Sequence, residues 1–206
     1  MFRVAVLISG SGSNLQSLID SIEKGYLDCS IECVISDKNN VYGLERAQKH
    51  GLKTFVVDKK QYGNRLSDAI LDITSEKVDL IVLAGFLSIL QGNILKEFKN
   101  RIINIHPSLI PSFCGNGMYG IKVHESAIKY GVKVSGCTVH FVDEGTDTGP
   151  IVLQRTVPVY FEDDASTLQK RVLEEEHKAL PQAVKLICEG RINILNNRVQ
   201  IMDGGL

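Results

Sequence analysis

No apolar run in this 206-residue chain approaches the ~20 residues that a membrane helix needs. An excess of either charge is missing too. The formal net charge is −1, which gives no electrostatic footprint for nucleic acid or a membrane surface. The cysteines (Cys29, Cys33, Cys114, Cys137 and Cys188) are odd in number and lack a C-x-x-C, so they offer neither a disulfide framework nor a zinc site. Cys29 and Cys33 lie around the apolar stretch "SIECVIS" and read as small buried hydrophobes. No ligand cluster with metal spacing occurs, and none is expected to be needed. The opening "MFRVAVLISGSGS" has a short apolar run that ends in glycines, unlike a signal peptide. These absences lead to the expectation of a cytoplasmic protein. No nucleic-acid or membrane partner is expected, and a monomer or homodimer would fit.

Hydrophobic residues make up 44% and charged residues 23%, an ordinary globular balance. The first two-thirds alternates two patterns. "RVAVLIS" (3–9), "SIECVIS" (30–36), "KTFVVD" (53–58), "DLIVLAG" (79–85) and "RIINI" (101–105) are short apolar runs of the kind that form buried parallel strands. Between them, 14–25, 42–51 and 64–77 show helical spacing, and 86–99 reads as a broken helix. Such alternation predicts an α/β fold, an open and mostly parallel twisted sheet with helices on both faces. Past residue 120 the pattern changes. A helix over 121–131 precedes longer strands over 133–142 and 150–159, joined by "DEGTDTG". A long helix over 167–190 contains Pro181 as a candidate kink, and "NNRVQIMDG" suggests a closing hairpin. This part is expected to extend the same sheet with antiparallel strands.

Two stretches carry candidate chemistry. "ISGSGSNLQ" follows the first strand and opens the first helix, where free backbone N–H groups and the helix dipole suit a phosphate. Leu15 replaces the third glycine of a dinucleotide fingerprint, and no Lys-[ST] follows, so neither that site nor an ATP-type P-loop is complete. The loop therefore reads either as a monophosphate site or as a tight turn with Ser11 or Ser13 as helix cap. In "RIINIHPSL", Asn104 and His106 point the same way from the carboxyl end of a strand, the edge where open parallel sheets bind ligands. They read as a catalytic pair or as a hydrogen-bonded core pair.

"NIHPSLIPSF" together with "VHFVDEGTDTGPIVLQ" resembles the formyltransferase family that uses 10-formyltetrahydrofolate. "ISGSGSNLQ" and "VLAGFLSIL" are similar to the members that formylate 5′-phosphoribosylglycinamide in purine synthesis, and the likeness spans about residues 3 to 190. The resemblance implies a Rossmann-like formyltransferase fold, 10-formyltetrahydrofolate as co-substrate, and a catalytic trio of Asn104, His106 and Asp147. It implies a phosphate loop at Gly12, Ser13 and Asn14, and an acceptor contact at Glu176. Folate-side positions fall on Arg65, Leu87, Ser88, Ile89 and Leu90, with Asn104 shared. One domain, 1–206, is expected, with a phosphate-binding half (1–100) and a catalytic, folate-binding half (101–206). A methionyl-tRNA formyltransferase would add a basic tRNA-binding domain, and a formyltetrahydrofolate deformylase a regulatory domain before the first strand. Two features depart from the family pattern. Ser88 stands where many members have arginine, and "SFCGNGMYGIKVHE" is longer than the commoner Pro-Gly loop.

In the implied reaction an amine attacks the formyl carbon, and negative charge grows on the formyl oxygen. Asn104 is the candidate donor to that oxygen, and His106 the candidate imidazolium and proton carrier. Asp147 is expected to raise the His106 pKa, with Asp143 as rival or turn residue. His140 reads as a site residue or a packed core residue. His124 reads as a solvated helix residue and His50 as a helix-end residue, while His177 reads as structural. The run "EEEHK" reads as a solvated face apart from Glu176. Competing readings are a hydrolase that gives the formyl group to water, a non-catalytic folate or nucleotide module, and, more weakly, a nicotinamide dehydrogenase using Asp37.

Overall fold

The computed structural model describes residues 1–202. The chain packs as two compact units, Met1–Asn104 and a second from Ile105 onward. In the first unit, β1 (Phe2–Ile8), α1 (Ser13–Glu23), β2 (Cys29–Ser36), α2 (Tyr42–Lys49), β3 (Thr54–Val56), the short α3 (Lys59–Tyr62), α4 (Leu66–Thr74), β4 (Leu80–Leu83) and α5 (Asn93–Glu97) lead into β5 (Ile102–His106). β1 pairs in parallel with β2 and β4, β2 with β3, and β4 with β5. Val4–Ile8 and Leu80–Val82 are fully buried, which is why these strands are continuously apolar rather than alternating. At ~1.5–3 kcal/mol for each buried aliphatic side chain, β1 and β4 anchor the unit far more firmly than the three-residue β3.

The chain winds outward from β1 to β3, then returns to β4 and winds the other way. Right-handed crossovers therefore place α1 and α2 on one face and α4 on the other. The reversal falls between β1 and β4, and there the Ser9 N–H donates to the Gly85 carbonyl at 3.0 Å. Crevices at such a reversal are where open α/β sheets hold ligands.

In the second unit, α6 (Ile121–Tyr130), β6 (Val134–Phe141), β7 (Ile151–Pro158) and α7 (Ala165–Cys188) precede a hairpin of β8 (Ile192–Leu195) and β9 (Arg198–Ile201). β6 and β7 are antiparallel, and α7 packs on both. The Asp164 side chain caps α7 by accepting from the Thr167 N–H at 2.7 Å, and the helix runs unbroken through Pro181. Asn196 and Asn197 have φ of 50° and 60°, the left-handed pair that a tight hairpin turn requires. Of "NNRVQIMDG", Asp203 and Gly204 lie outside the described residues. The main sheet has seven strands in the order β3-β2-β1-β4-β5-β6-β7, mostly parallel, with β8-β9 as a separate two-stranded sheet.

Two helical expectations need correction. Over 64–77 the helix is confined to α4, preceded by a 3₁₀ turn at Gly63–Arg65. Over 86–99 only α5 is helical. Buried side chains explain the second case. Ser9 Oγ accepts from the Leu87 N–H at 2.8 Å, Ser67 Oγ accepts from the Gln91 N–H at 3.0 Å, and the Ser88 hydroxyl donates to Asp37 at 2.6 Å. These bonds hold 87–91 in an irregular path that competes with helix.

Candidate active site

In the first unit the glycine loop is shaped by backbone. Gly12 is the N-cap of α1 with φ of 70°, and no side chain caps the helix, so the expected Ser11 or Ser13 cap is not formed. A Cβ on Gly12 would lie 2.6 Å from the Gly43 Cα, so a side chain fits neither the left-handed backbone nor the space. The start of α2 supports the loop from outside. The Gly43 N–H donates to the Gly10 carbonyl at 3.0 Å, and Arg46 Nε donates to the Ser11 carbonyl at 2.9 Å. The Arg46 guanidinium also donates to Gln16 at 3.2 Å and lies 4.6 Å over the Tyr42 ring. The first N–H groups of α1, at Ser13 and Asn14, together with the dipole and the Arg46 charge, make an anion-receptive terminus. Arg46 had no signal in the sequence, since it lies a whole βα unit away from the loop it holds.

In the second unit the chemistry gathers around one carboxylate. His106 ends β5 at 4% exposure. Its Nε2 lies 3.0 Å from the Phe113 carbonyl and its Nδ1 lies 3.6 Å from Asp147 Oδ2. His140 mirrors it, with Nδ1 2.9 Å from the Phe141 carbonyl and Nε2 3.5 Å from Asp147 Oδ1. A register irregularity between Val139 and His140 turns this side chain out of the regular β6 alternation. The Gly115 N–H donates to Asp147 Oδ2 at 2.9 Å.

Carbonyl oxygens only accept, so each contact fixes a tautomer: N–H on His106 Nε2 and on His140 Nδ1. Neutral His106 turns a lone pair toward Asp147, and protonating it turns repulsion into attraction. Asp147 holds a left-handed backbone, φ 58°, as does Phe113 at 50°. Asparagine and aspartate tolerate that region better than most residues.

The electrostatics correct one expectation. Burial pushes the His106 imidazole below its usual value and outweighs the Phe113 carbonyl and Asp147, which both raise it; His140 lowers it further. Asp147 does favour the imidazolium, but His106 is neutral near pH 7. For Asp147, burial raises the carboxyl, yet the hydrogen bond from His140, the Gly115 amide and both imidazoles together leave it below its usual value. It is ionised at neutral pH.

The scaffold beneath is braced. Thr138 Oγ1 donates to the Ser108 carbonyl at 2.6 Å and accepts from the Ile110 N–H at 3.1 Å, and Gln154 donates to Thr138 at 2.9 Å. Asp143 organises the following loop, with Oδ1 accepting from the Gly145 N–H at 3.1 Å and the Thr148 hydroxyl at 2.6 Å. A cavity of about 540 Å³ opens beside Asp147, lined also by Ile110, Pro111, Cys114 and Thr148.

The remaining candidates differ in exposure. Arg65 is exposed in the 3₁₀ turn. Leu87 and Ile89 are exposed, whereas Ser88 and Leu90 are buried. Asn104 is half-buried on β5, two positions before His106. Glu176 is buried on α7. Glu175, expected on a solvated face, instead pairs with Arg155 at 3.3 Å and Lys178 at 2.6 Å. His50 closes α2, with Nδ1 2.9 Å from Glu23, and His177 is half-buried on α7. His124 is a clear correction. It is 1% exposed rather than solvated, its Nδ1 has no hydrogen-bond partner among the described residues, and burial, aided by His106, pushes its pKa down to about 4. Among the described residues no His, Cys, Asp and Glu group could hold a metal ion, and no helix is long and apolar enough to cross a membrane.

Residues 2–184 match the family model described as Formyl transferase. The chain is 45% identical over 198 residues to the trifunctional purine biosynthetic protein adenosine-3 of Homo sapiens, covering 95% of this chain and 19% of that protein. It therefore spans about a fifth of the length of such relatives. It is 41% identical over 207 residues to the phosphoribosylglycinamide formyltransferase of Haemophilus influenzae, covering 99% of this chain and 95% of that one. The crystal structure of glycinamide ribonucleotide transformylase 1 from Symbiobacterium toebii superposes with a TM-score of 0.92 at 43% identity, covering 98% of this chain and 95% of that one.

Proposed function

The chain belongs to the formyl transferase family, and we propose that it moves a formyl group from 10-formyltetrahydrofolate to the amine of 5′-phosphoribosylglycinamide. The observation that carries this reading is the His106–Asp147 pair at the carboxyl end of β5, with His106 Nε2–H already aimed at a carbonyl oxygen. The Phe113 carbonyl stands where a formyl oxygen would sit. On substrate binding that oxygen takes over the Nε2–H, and the Asn104 amide, on the same strand face, supplies a second donor. Removing one such donor typically costs ~10²–10³ in rate.

As the amine attacks, it must lose a proton and the folate nitrogen must gain one. Charge building on the formyl oxygen raises the proton affinity of the neutral imidazole, and ionised Asp147 stabilises the imidazolium that results. The ionised Asp147 carboxylate takes the amine proton, shares it with the facing His106 Nδ1 lone pair, and returns it to the folate nitrogen, so the enzyme ends unchanged. His140 fixes Asp147 from the other side. Each unit has its own part in this reading. In the first, Gly12, Ser13 and Asn14 take the acceptor phosphate, and Arg65 with Leu87–Leu90 serves the folate. In the second, Glu176 serves the acceptor. No metal has a role in these steps. The protein works in the cytoplasm on small molecules.

The test offers a 10-formylfolate analogue with and without 5′-phosphoribosylglycinamide and follows release of the deformylated folate. Acceptor-dependent turnover is expected. Equal turnover without acceptor would assign a hydrolase, and no turnover in either arm would leave a binding module.

A further inference from the structure

We infer that Asp37 and Ser88 form a positioning pair that sets the path of residues 87–90 and thereby the affinity for the folate; this rests on the proposed folate role of that segment. Asp37 follows β2 and is 2% exposed, and Ser88 follows β4 and is 6% exposed. The Ser88 hydroxyl donates to Asp37 Oδ2 at 2.6 Å, joining positions 51 residues apart. Asp37 Oδ1 is buried with no hydrogen-bond partner among the described residues. Among the described residues the Ser88 bond is thus the one polar contact of the buried Asp37 side chain. Such a group is costly to hold and is retained where its geometry matters.

The backbone around the pair is fixed on both sides. The Asp37 carbonyl accepts from the Lys59 N–H at 3.1 Å, which anchors the acid. Leu87 is tied to Ser9, and Gln91 to Ser67, so Ser88 is the third of three ties on a five-residue stretch. It is also the one that acts through a side chain of the segment itself. Strand-like alternation then sends Ser88 inward and leaves Leu87 and Ile89 exposed, forming an apolar flank for a ring system. Neither Asp37 nor the Ser88 hydroxyl needs to touch the folate. They act by holding Leu87 and Ile89 outward.

The pair has a diagnostic asymmetry. Ser88→Ala strips the hydroxyl partner from the buried Asp37 side chain, whereas Asp37→Asn keeps an amide oxygen to accept the Ser88 hydroxyl. Removing both polar groups abolishes the orphaned charge. Loss of a partner is costlier than loss of the pair. The experiment titrates a 10-formylfolate analogue by isothermal calorimetry into the parent, Ser88→Ala, Asp37→Asn and the Asp37→Ala/Ser88→Ala double variant. Steady-state constants for both substrates and melting temperatures are measured alongside. Ser88→Ala should weaken the analogue roughly tenfold or more, while Asp37→Asn stays within about threefold. The double variant should bind more tightly than Ser88→Ala alone, and the acceptor KM should stay within about twofold throughout. If Ser88→Ala does not fold, Asp37→Asn within about threefold of the parent and a double variant weakened severalfold are expected, and a double variant that binds like the parent would overturn the pairing.

Unchanged analogue affinity in Ser88→Ala, or a double variant weakened by the product of the single effects, would overturn the pairing. So would a parent that binds no folate analogue. A parent that binds the analogue but transfers nothing to the acceptor refutes the transfer reading alone, and the binding contrast still decides the pairing.

Discussion

The glycine loop of the first unit and the histidine–carboxylate cluster of the second present polar groups by opposite means. At Gly10–Asn14 the receptive groups are backbone N–H donors, shaped by a left-handed glycine and by α2, and none of them titrates. Around Asp147 the working groups are side chains, buried, titratable and fixed in tautomer by backbone carbonyls. A backbone site gives binding that hardly depends on pH. A buried side-chain site gives chemistry whose every member depends on its neighbours. Substitutions in the first region should therefore move affinity, and in the second region rate.

The largest effect is expected at Asp147. Asp147→Asn keeps the left-handed backbone preference but removes the charge that favours the imidazolium. The His106 pKa, already lowered by burial, should fall further, rather than relax to its free value. kcat should drop ~10²–10⁴-fold, and adding His106→Ala should cost little more, because the pair works as one device. Near-normal turnover, or strict additivity, would break the pairing. Asp143→Asn should lose far less, since Asp143 serves only Gly145 and Thr148 within its loop.

The next effect is on stability. His124 has a folded pKa of about 4 against 6.5 unfolded. As pH falls below 6.5 the unfolded chain takes up a proton that the folded chain refuses. Stability contributed by neutral His124 is thus whole above pH 6.5 and is lost progressively down to about pH 4, by roughly 3 kcal/mol. His106 acts in the same direction. Denaturant unfolding of His124→Gln at pH 7.5 and 4.5 should show a smaller difference than the parent, and an equal difference would count against a buried neutral His124.

Gly12→Ala should be smaller still in energy but sharper in meaning. The left-handed backbone alone costs ~1–2 kcal/mol, and the Cβ would press on Gly43. Both the melting temperature and acceptor affinity should fall. A higher acceptor KM without any loss of stability would mean that Gly12 clears space for the ligand only. Arg65→Ala should give the smallest effect, a weakening of the folate by ~0.2–1 kcal/mol, as befits an exposed ion pair. Unchanged folate affinity would leave Arg65 as an ordinary surface residue.

The parallel strands were legible because β1 and β4 are buried on both faces and hence continuously apolar. The hairpin was legible from its paired asparagines. The stretch 86–91 was misread as helix because the bonds that hold it open come from Ser9, Asp37 and Ser67, remote in sequence. The same distance hid Arg46 from the glycine loop. His124 looked solvated because a helix in isolation does not reveal which face the rest of the unit covers. The direction of the His106 shift was missed for a related reason. A sequence shows that a carboxylate is available, but the cost of burial that outweighs it is a property of the folded unit.

The contrast between the two regions is tested most directly by one set of steady-state constants, with both substrates varied, for Arg46→Ala and Asp147→Asn. Arg46 donates to the glycine loop, and Asp147 faces His106. Arg46→Ala should raise the acceptor KM several-fold, with kcat within about twofold, and Asp147→Asn should lower kcat ~10²-fold or more, with the acceptor KM within about twofold. If both variants move both constants together, binding and chemistry are not divided in this way, and the account fails.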